Sequence, residues 1–243
     1  MNTSTSSRRV FVLLDGNALI HRSYHALPPL STKSGELVNA VYGFTVTLLS
    51  VLEKFHPEYI AASFDLAGPT FRHEKFEEYK GTRVKAPDDL YAQIPRVKEM
   101  VQAFNIPIYE QAGFEADDCI GTLARQAVEQ DENIEVIIVT GDRDAFQLIN
   151  SRVKVFTMRK GVKDTVLYDH DAVLAKYGLE PQQLKDFKGL CGDASDNIPG
   201  VKGIGEKGAI ELLKTYGSLE KVYESLSEIR PTLQKKLEDG RES

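Results

Sequence analysis

Nine carboxylates are gathered into five short motifs: Asp15 in VFVLLDGN, Asp65 in IAASFD, Glu115, Asp117 and Asp118 in GFEADD, Asp142 and Asp144 in VTGDRD, and Asp193 and Asp196 in GDASDN. No histidine or cysteine recurs at matching spacing. Oxygen ligands at this density suit hard cations such as Mg²⁺ or Mn²⁺. Brought together without cations, so many anions would repel and take up protons, so the set makes chemical sense only with metal present. Two such ions roughly 4 Å apart activate water on one side of a phosphodiester and stabilise the leaving oxygen on the other. Metal-dependent hydrolysis of a nucleic acid is the chemistry these residues point to.

Taken singly, each motif has a plainer explanation. Asp15-Gly16-Asn17 suits a turn after a strand, Asp117 and Asp118 suit the positive end of a helix dipole, and GDRD and GDASDN suit Asx turns. Turn chemistry alone does not explain why all five follow an apolar run or open a helical stretch. That common placement predicts convergence.

The elements that must position these groups are legible as periodicity. Residues 10–14, 59–64 and 136–139 are apolar or β-branched runs without polar alternation, the pattern of parallel strands buried on both faces. Helical spacing covers 41–54 and 116–129, the latter with Ala116, Ile120, Leu123, Ala124, Ala127 and Val128 along one side. Their alternation predicts an α/β fold, a central and mostly parallel sheet flanked by helices. Ligands in such sheets bind beyond the carboxyl ends of the strands. Asp15, Asp65, Asp142 and Asp144 fall at that edge, while Glu115 and Asp118, three apart, share one side of a helix start.

Residues 68–93 break the alternation. Arg72, His73, Lys75, Lys80, Arg83 and Lys85 are interleaved with Phe71, Phe76, Tyr79 and Tyr91, which fits a helical hairpin or loop rising over the crevice. A solvated helix with Glu74, Glu77 and Glu78 pairing their basic neighbours is the plainer alternative. Beside a metal crevice, Lys80 and Arg83 are placed to contact the scissile phosphate and Tyr79 to stack on a base. After Asp169 the composition turns helical and contains IPGVKGIGEKGA. Its glycines at 200, 203, 205 and 208, with Lys202 and Lys207 alongside, read as a helix-hairpin-helix turn before a helix starting near Glu206. Exposed amides there hold a phosphate without reading its base, which makes Gly200, Lys202, Gly203, Gly205 and Lys207 the expected DNA contacts.

A chain of 243 residues buries one substantial core with a smaller appended lobe, and 42% hydrophobic content is ordinary for a globular protein. No run approaches a membrane span. Residues 1–9 read as a disordered tail, and the apolar stretch after them is too short for a signal-peptide core, so a cytoplasmic protein without a membrane partner is expected. Cys119 and Cys191 lack metal-ligand spacing and read as packing residues. The net charge of −6 does not exclude nucleic acid, because setting aside the nine clustered carboxylates leaves 27 acidic residues against 30 Lys and Arg. The expected organisation is the tail, an α/β catalytic domain over 10–170 carrying the hairpin at 68–93, and a DNA-binding lobe over 171–243.

Five ordered stretches, LLDGNALIHRSYHALPPL, FDLAGPTFRHEKFEEYKGTR, GFEADDCIGTLA, TGDRDAFQL and GLCGDASDNIPGVKGIGEKGA, resemble the 5′ nuclease family, that is, the 5′→3′ exonuclease domain of bacterial DNA polymerase I and its flap endonuclease relatives. The resemblance runs from about Phe11 to Leu226 and implies a PIN-like sheet, a helical arch that admits a free 5′ strand, and a helix-hairpin-helix lobe that grips duplex. Position by position, Asp15, Asp65, Glu115, Asp117 and Asp118 resemble the family's tighter metal site. Asp142 and Asp144 fall between the ions, and Asp193 and Asp196 resemble the outer site. Lys80 and Arg83 match the arch lysine and arginine. The implied cofactors are two or more Mg²⁺ ions, with Mn²⁺ as a substitute, and K⁺ at the hairpin. The implied partners are DNA with 5′ flaps or ends, RNA-DNA primer junctions, and a DNA polymerase in cis or in trans. The chain ends at LQKKLEDGRES, soon after the hairpin, so the lobe is expected to be truncated. Two other functions fit parts of the pattern. A PIN-like ribonuclease shares the acidic sheet edge but not the Gly-rich hairpin and basic arch, and a non-catalytic module that binds DNA structures does not need the full carboxylate set.

Overall fold

The computed structural model describes residues 8–161 and 164–241. In chain order its first part contains β1 (Arg9–Asp15), α1 (Gly16–Ala26), α2 (Asn39–Phe55), β2 (Tyr59–Ser63), α3 (Phe71–Lys75), α4 (Asp88–Tyr91), α5 (Ile94–Ala103), β3 (Ile108–Tyr109) and α6 (Ala116–Gln130). There follow β4 (Ile134–Val139), β5 (Val153–Lys160), β6 (Asp164–Tyr168), α7 (His170–Tyr177), α8 (Leu184–Cys191), α9 (Glu206–Tyr216), α10 (Leu219–Glu224) and α11 (Pro231–Asp239). The expected disordered tail falls mostly on residues outside the described range, and Arg9 already belongs to β1.

Two compact units share the chain. One runs up to Thr70 and resumes over Lys85–Asp169; the other joins Phe71–Val84 to the chain from His170 onward. The segment expected as one hairpin over 68–93 is therefore divided, with 71–84 packing among C-terminal elements and 85–93 belonging to the sheet-bearing unit.

In the first unit the six strands lie in the order β3-β2-β1-β4-β5-β6. All neighbouring pairs are parallel except β5 with β6. Because strand side chains alternate between faces, Val12, Leu14, Ala62, Phe64, Ile137 and Val139 project to one side. There they meet Leu19, Ile20, Phe44, Leu48, Val51, Val97 and Val101 from α1, α2 and α5. The opposite set, Leu13, Ala61, Val136 and Ile138, is equally buried, with α6 contributing Ala116, Ile120 and Ala124 against β1, β2 and β4. Each large apolar side chain so enclosed stabilises the sheet by about 1.5–3 kcal/mol. Strand order reverses between β1 and β4, the topological switch point at which an open α/β sheet leaves a crevice beyond its strand ends.

The second unit is helical. Its core is built from Val173, Leu184, Leu190, Val201, Ile204, Ala209, Leu212, Leu213, Val222 and Leu237, all buried. Gln183 fastens the end of α9 by donating its amide to the carbonyls of Leu213, at 3.1 Å, and Gly217, at 2.7 Å. Among the described residues no helix is long and apolar enough to cross a membrane. Both cysteines are free and half-buried, in keeping with a packing role.

Candidate metal centre

The last residue of β1 is Asp15, and it is the most buried carboxylate of the motifs, 4% exposed. Its carboxylate is fixed from two sides. Oδ1 accepts from the N–H of Ala18 at 3.1 Å, capping α1, and Oδ2 accepts from the Thr140 hydroxyl at 2.6 Å. Thr140 ends the run of β4, and its hydroxyl also accepts from the N–H of Asp142 at 2.9 Å. One threonine thus ties the Asp15 carboxylate at the end of β1 to the backbone of Asp142 in the loop after β4, at the switch point.

Asp65 follows β2 and accepts from the N–H of Ala116 at 2.7 Å, while its own N–H donates to Oδ1 of Asn17 at 3.3 Å. This places Asp65 at the start of α6, where Glu115 and Asp118 form a reciprocal capping box and Asp117 lies in the first turn. The box includes the N–H of Glu115 donating to Asp118 at 2.9 Å. The Asp142 carboxylate accepts from the N–H of Asp144 at 2.9 Å, an Asx turn. The plain structural roles are therefore present as well, and they are what hold the carboxylates in place. Burial, with lesser contributions from the Asp65 and Asp142 charges, pushes Asp15 up from 3.8 to about 6, against the pull of the Thr140 and Ala18 hydrogen bonds.

Gly16 has a separate geometric duty. A Cβ there would lie 2.3 Å from the ring of Phe64, so the absence of a side chain lets α1 leave β1 directly over β2. Asp15 and Asp65 are the chain neighbours of these two residues, and this contact sets their spacing.

Asp193 and Asp196 belong to the second unit, in the loop after α8. Asp193 accepts from the Lys188 ammonium at 2.6 Å and from the N–H and hydroxyl of Ser195 at 2.9 and 2.7 Å. Burial alone would raise its carboxyl, but these donors hold it down at about 2. Asp196 accepts from Arg83 at 2.6 Å on Oδ1 and from the Tyr79 hydroxyl at 3.1 Å on Oδ2. Lys80 donates its N–H to the carbonyl of Asp196 at 3.0 Å, and its ammonium lies 5.0 Å from the centre of the Tyr79 ring.

Two expectations change here. Tyr79, expected to stack on a base, is only 7% exposed, with its hydroxyl on Asp196 and its ring edge to His73, so it offers no open face. Gly200, expected to touch DNA, is buried, and a Cβ there would lie 2.2 Å from the Gly192 nitrogen. It serves close backbone packing. Lys202, Gly203, Gly205 and Lys207 are exposed on the turn before α9, which begins at Glu206 as expected.

Residues 10–178 match the 5′-3′ exonuclease N-terminal, resolvase-like domain, and residues 179–243 match the 5′-3′ exonuclease C-terminal SAM fold. The chain belongs to the 5′-3′ exonuclease family. As a 5′-3′ exonuclease it is a nuclease, a hydrolase of phosphodiesters. DNA polymerase I of Bacillus subtilis (strain 168) is 46% identical over 235 residues, 96% of this chain and 26% of the polymerase. DNA polymerase I of Chloroflexus aurantiacus is 49% identical over 222 residues, 89% of this chain and 23% of the polymerase. The chain spans about a quarter of the length of these relatives. Among solved structures, a bacteriophage T5 flap endonuclease in a pseudo-enzyme-product complex with DNA and metal ions aligns with a TM-score of 0.78. It is 19% identical, over 94% of this chain and 84% of that one. At that identity the likeness speaks for the fold.

Divalent ions suit the donor set of this exonuclease. In the sheet-bearing unit it is all oxygen, and the buried Asp15 carries a raised pKa beside two further carboxylates, the electrostatic condition a cation relieves. In the helical unit each oxygen of Asp196 takes one donor and so keeps a lone pair. Thr140, Ser195 and Lys188 were not singled out from sequence. Thr140 had a signal, being the polar residue that closes an otherwise apolar strand; the other two lie in the quoted GLCGDASDN stretch or just before it and had none.

Proposed function

We propose that this chain is a Mg²⁺-dependent, structure-selective 5′ nuclease that hydrolyses DNA phosphodiesters near a free 5′ end or flap. The observation that carries this reading is the clustering of three carboxylates beyond the strand ends: the charges of Asp65 and Asp142 both act on the buried Asp15, while Thr140 holds Asp15 and the α6 amide holds Asp65. Asp15, Asp65, Glu115, Asp117, Asp118, Asp142 and Asp144 hold one group of metal ligands, and Asp193 and Asp196 contribute the outer ones. When bound, the ions supply an activated water and charge stabilisation at the leaving oxygen. Thr140, Ala18 and Ala116 orient the carboxylates beforehand, which removes reorganisation from the reacting complex. Lys80, and Arg83 through the amino group that holds neither Asp196 nor Ser195, stabilise charge on the scissile phosphate, and Lys202, Gly203, Gly205 and Lys207 contact the duplex backbone. K⁺ at the hairpin carbonyls belongs to the same reading.

The DNA polymerase I relatives support a place in DNA replication and repair, and action at RNA-DNA primer junctions is part of the same proposal. A DNA polymerase works with this chain in cis or in trans, in the cytoplasm. The test is cleavage of a 5′-labelled flap and of single-stranded RNA, with Mg²⁺ and with chelator, by wild type and Asp142→Ala. Flap cleavage that needs both Mg²⁺ and Asp142 is expected. Activity that survives the chelator overturns the metal mechanism, and faster hydrolysis of the RNA assigns a ribonuclease.

A further inference from the structure

The stretch 78–83 is fastened to the loop 193–197 more tightly than a mobile DNA-gripping segment requires. Besides the two side-chain bonds to Asp196, the N–H of Lys80 reaches the Asp196 carbonyl at 3.0 Å, Arg83 Nε reaches the Ser195 carbonyl at 3.1 Å, and Asn197 Nδ2 reaches the Glu78 carbonyl at 2.8 Å. Lys80 (φ 56°) and Asn197 (φ 59°) both take the left-handed conformation there. Non-glycine residues hold that conformation only where the surroundings over-determine it. The junction is a fixed seat for the Asp196 carboxylate.

Within it, Tyr79 has the geometry of a support. Its ring is buried, and its hydroxyl reaches Oδ2 of Asp196 at 3.1 Å. With Arg83 on the other oxygen, rotation of the carboxylate is fixed and one lone pair on each oxygen stays free for a ligand. We propose that Tyr79 is a positioning residue for Asp196, orienting that carboxylate toward a divalent cation. The inference rests on reading Asp196 as a metal ligand. Hydrogen-bonded partners of this kind typically set metal affinity by 10-fold or more.

The experiment compares Tyr79→Phe, Tyr79→Ala and Asp196→Asn in the whole chain. Mn²⁺ binding is followed by isothermal titration without DNA, and flap affinity is followed in chelator. Tyr79→Phe keeps the ring and loses only the hydroxyl. It is expected to weaken the weaker Mn²⁺ step by about tenfold while flap affinity in chelator stays at the wild-type value. Unchanged Mn²⁺ binding in Tyr79→Phe, with weaker binding in Asp196→Asn, overturns the role of Tyr79 and leaves the metal site standing. Unchanged binding in Asp196→Asn overturns the site itself. If Tyr79→Phe matches wild type throughout while Tyr79→Ala loses flap affinity in chelator, the ring contacts DNA and the positioning role is wrong.

Discussion

Replacing a metal-binding carboxylate should make the metal-free protein more stable. In chelator, Asp15 is an ionised group held where burial and the neighbouring Asp65 and Asp142 disfavour its charge. Its pKa lies at about 6 when folded against an ordinary 3.8, a gap worth roughly 3 kcal/mol at ~1.4 kcal/mol per pH unit. A raised carboxyl means the folded state binds the proton more tightly, so this penalty is absent below about pH 4, grows through the interval to 6, and is fully present above it. Asp15→Asn removes the charge but leaves a single acceptor oxygen where Ala18 and Thr140 both donate, which costs about 1 kcal/mol for the lost bond. The variant should therefore be about 1–2 kcal/mol more stable than wild type at pH 8 in chelator, and no more stable at pH 4. Urea denaturation of both proteins at the two pH values reads this directly. Adding Mg²⁺ should restore wild type alone, since only its site binds the ion tightly, and flap cleavage should be lost in the variant. A variant less stable than wild type by the same amount at both pH values would refute the argument.

Further outcomes follow from other contacts. Gly16→Ala should cost about 1–3 kcal/mol by driving a methyl group into Phe64, and thermal unfolding of Gly16→Ala, Phe64→Leu and the double variant should show part of that cost recovered; strict additivity would count against the contact. His170, bonded through both ring nitrogens to Asp171 and Glu180, should titrate above 6.5 by NMR, with the helix start it secures losing that support as pH rises through its pKa; a midpoint at or below 6.5 would be the contrary result. Lys202→Ala should shallow the salt dependence of flap binding by about one unit yet cleave normally at saturation. Lys80→Ala should instead slow single-turnover cleavage on the order of 10²-fold; a normal rate once bound would make Lys80 a tether.

The strands that carry the first carboxylates were legible because they are buried on both faces, which leaves an apolar run with nothing to confuse it. The fifth strand, VKVFTMRK, carries Lys154 and Arg159 and looks half solvated, and the third is a two-residue pairing with no pattern of its own. The Asx turn in each of GDRD and GDASDN was visible as a type of motif; that its donors also fix a candidate ligand was not, because hydrogen bonds such as Thr140 to Asp15 join residues 125 apart. Tyr79 and Gly200 were misread for one reason. Residue type in a basic or glycine-rich context suggests exposure, but burial depends on packing partners far along the chain.

The seat of Asp196 also has a consequence for synthesis. Arg83 leaves the ribosome 113 residues before the aspartate it pairs with. At the usual 5–20 residues per second, that is roughly 6–23 s during which the strands up to β6 can form while Phe71–Val84 waits without its helical partners. Through that window an aromatic and basic stretch is open to proteases and to other nascent chains. The sheet can therefore form before the loop carrying Asp193 and Asp196 exists, and a slow codon placed after Tyr168 would lengthen the wait without touching any residue of the finished enzyme.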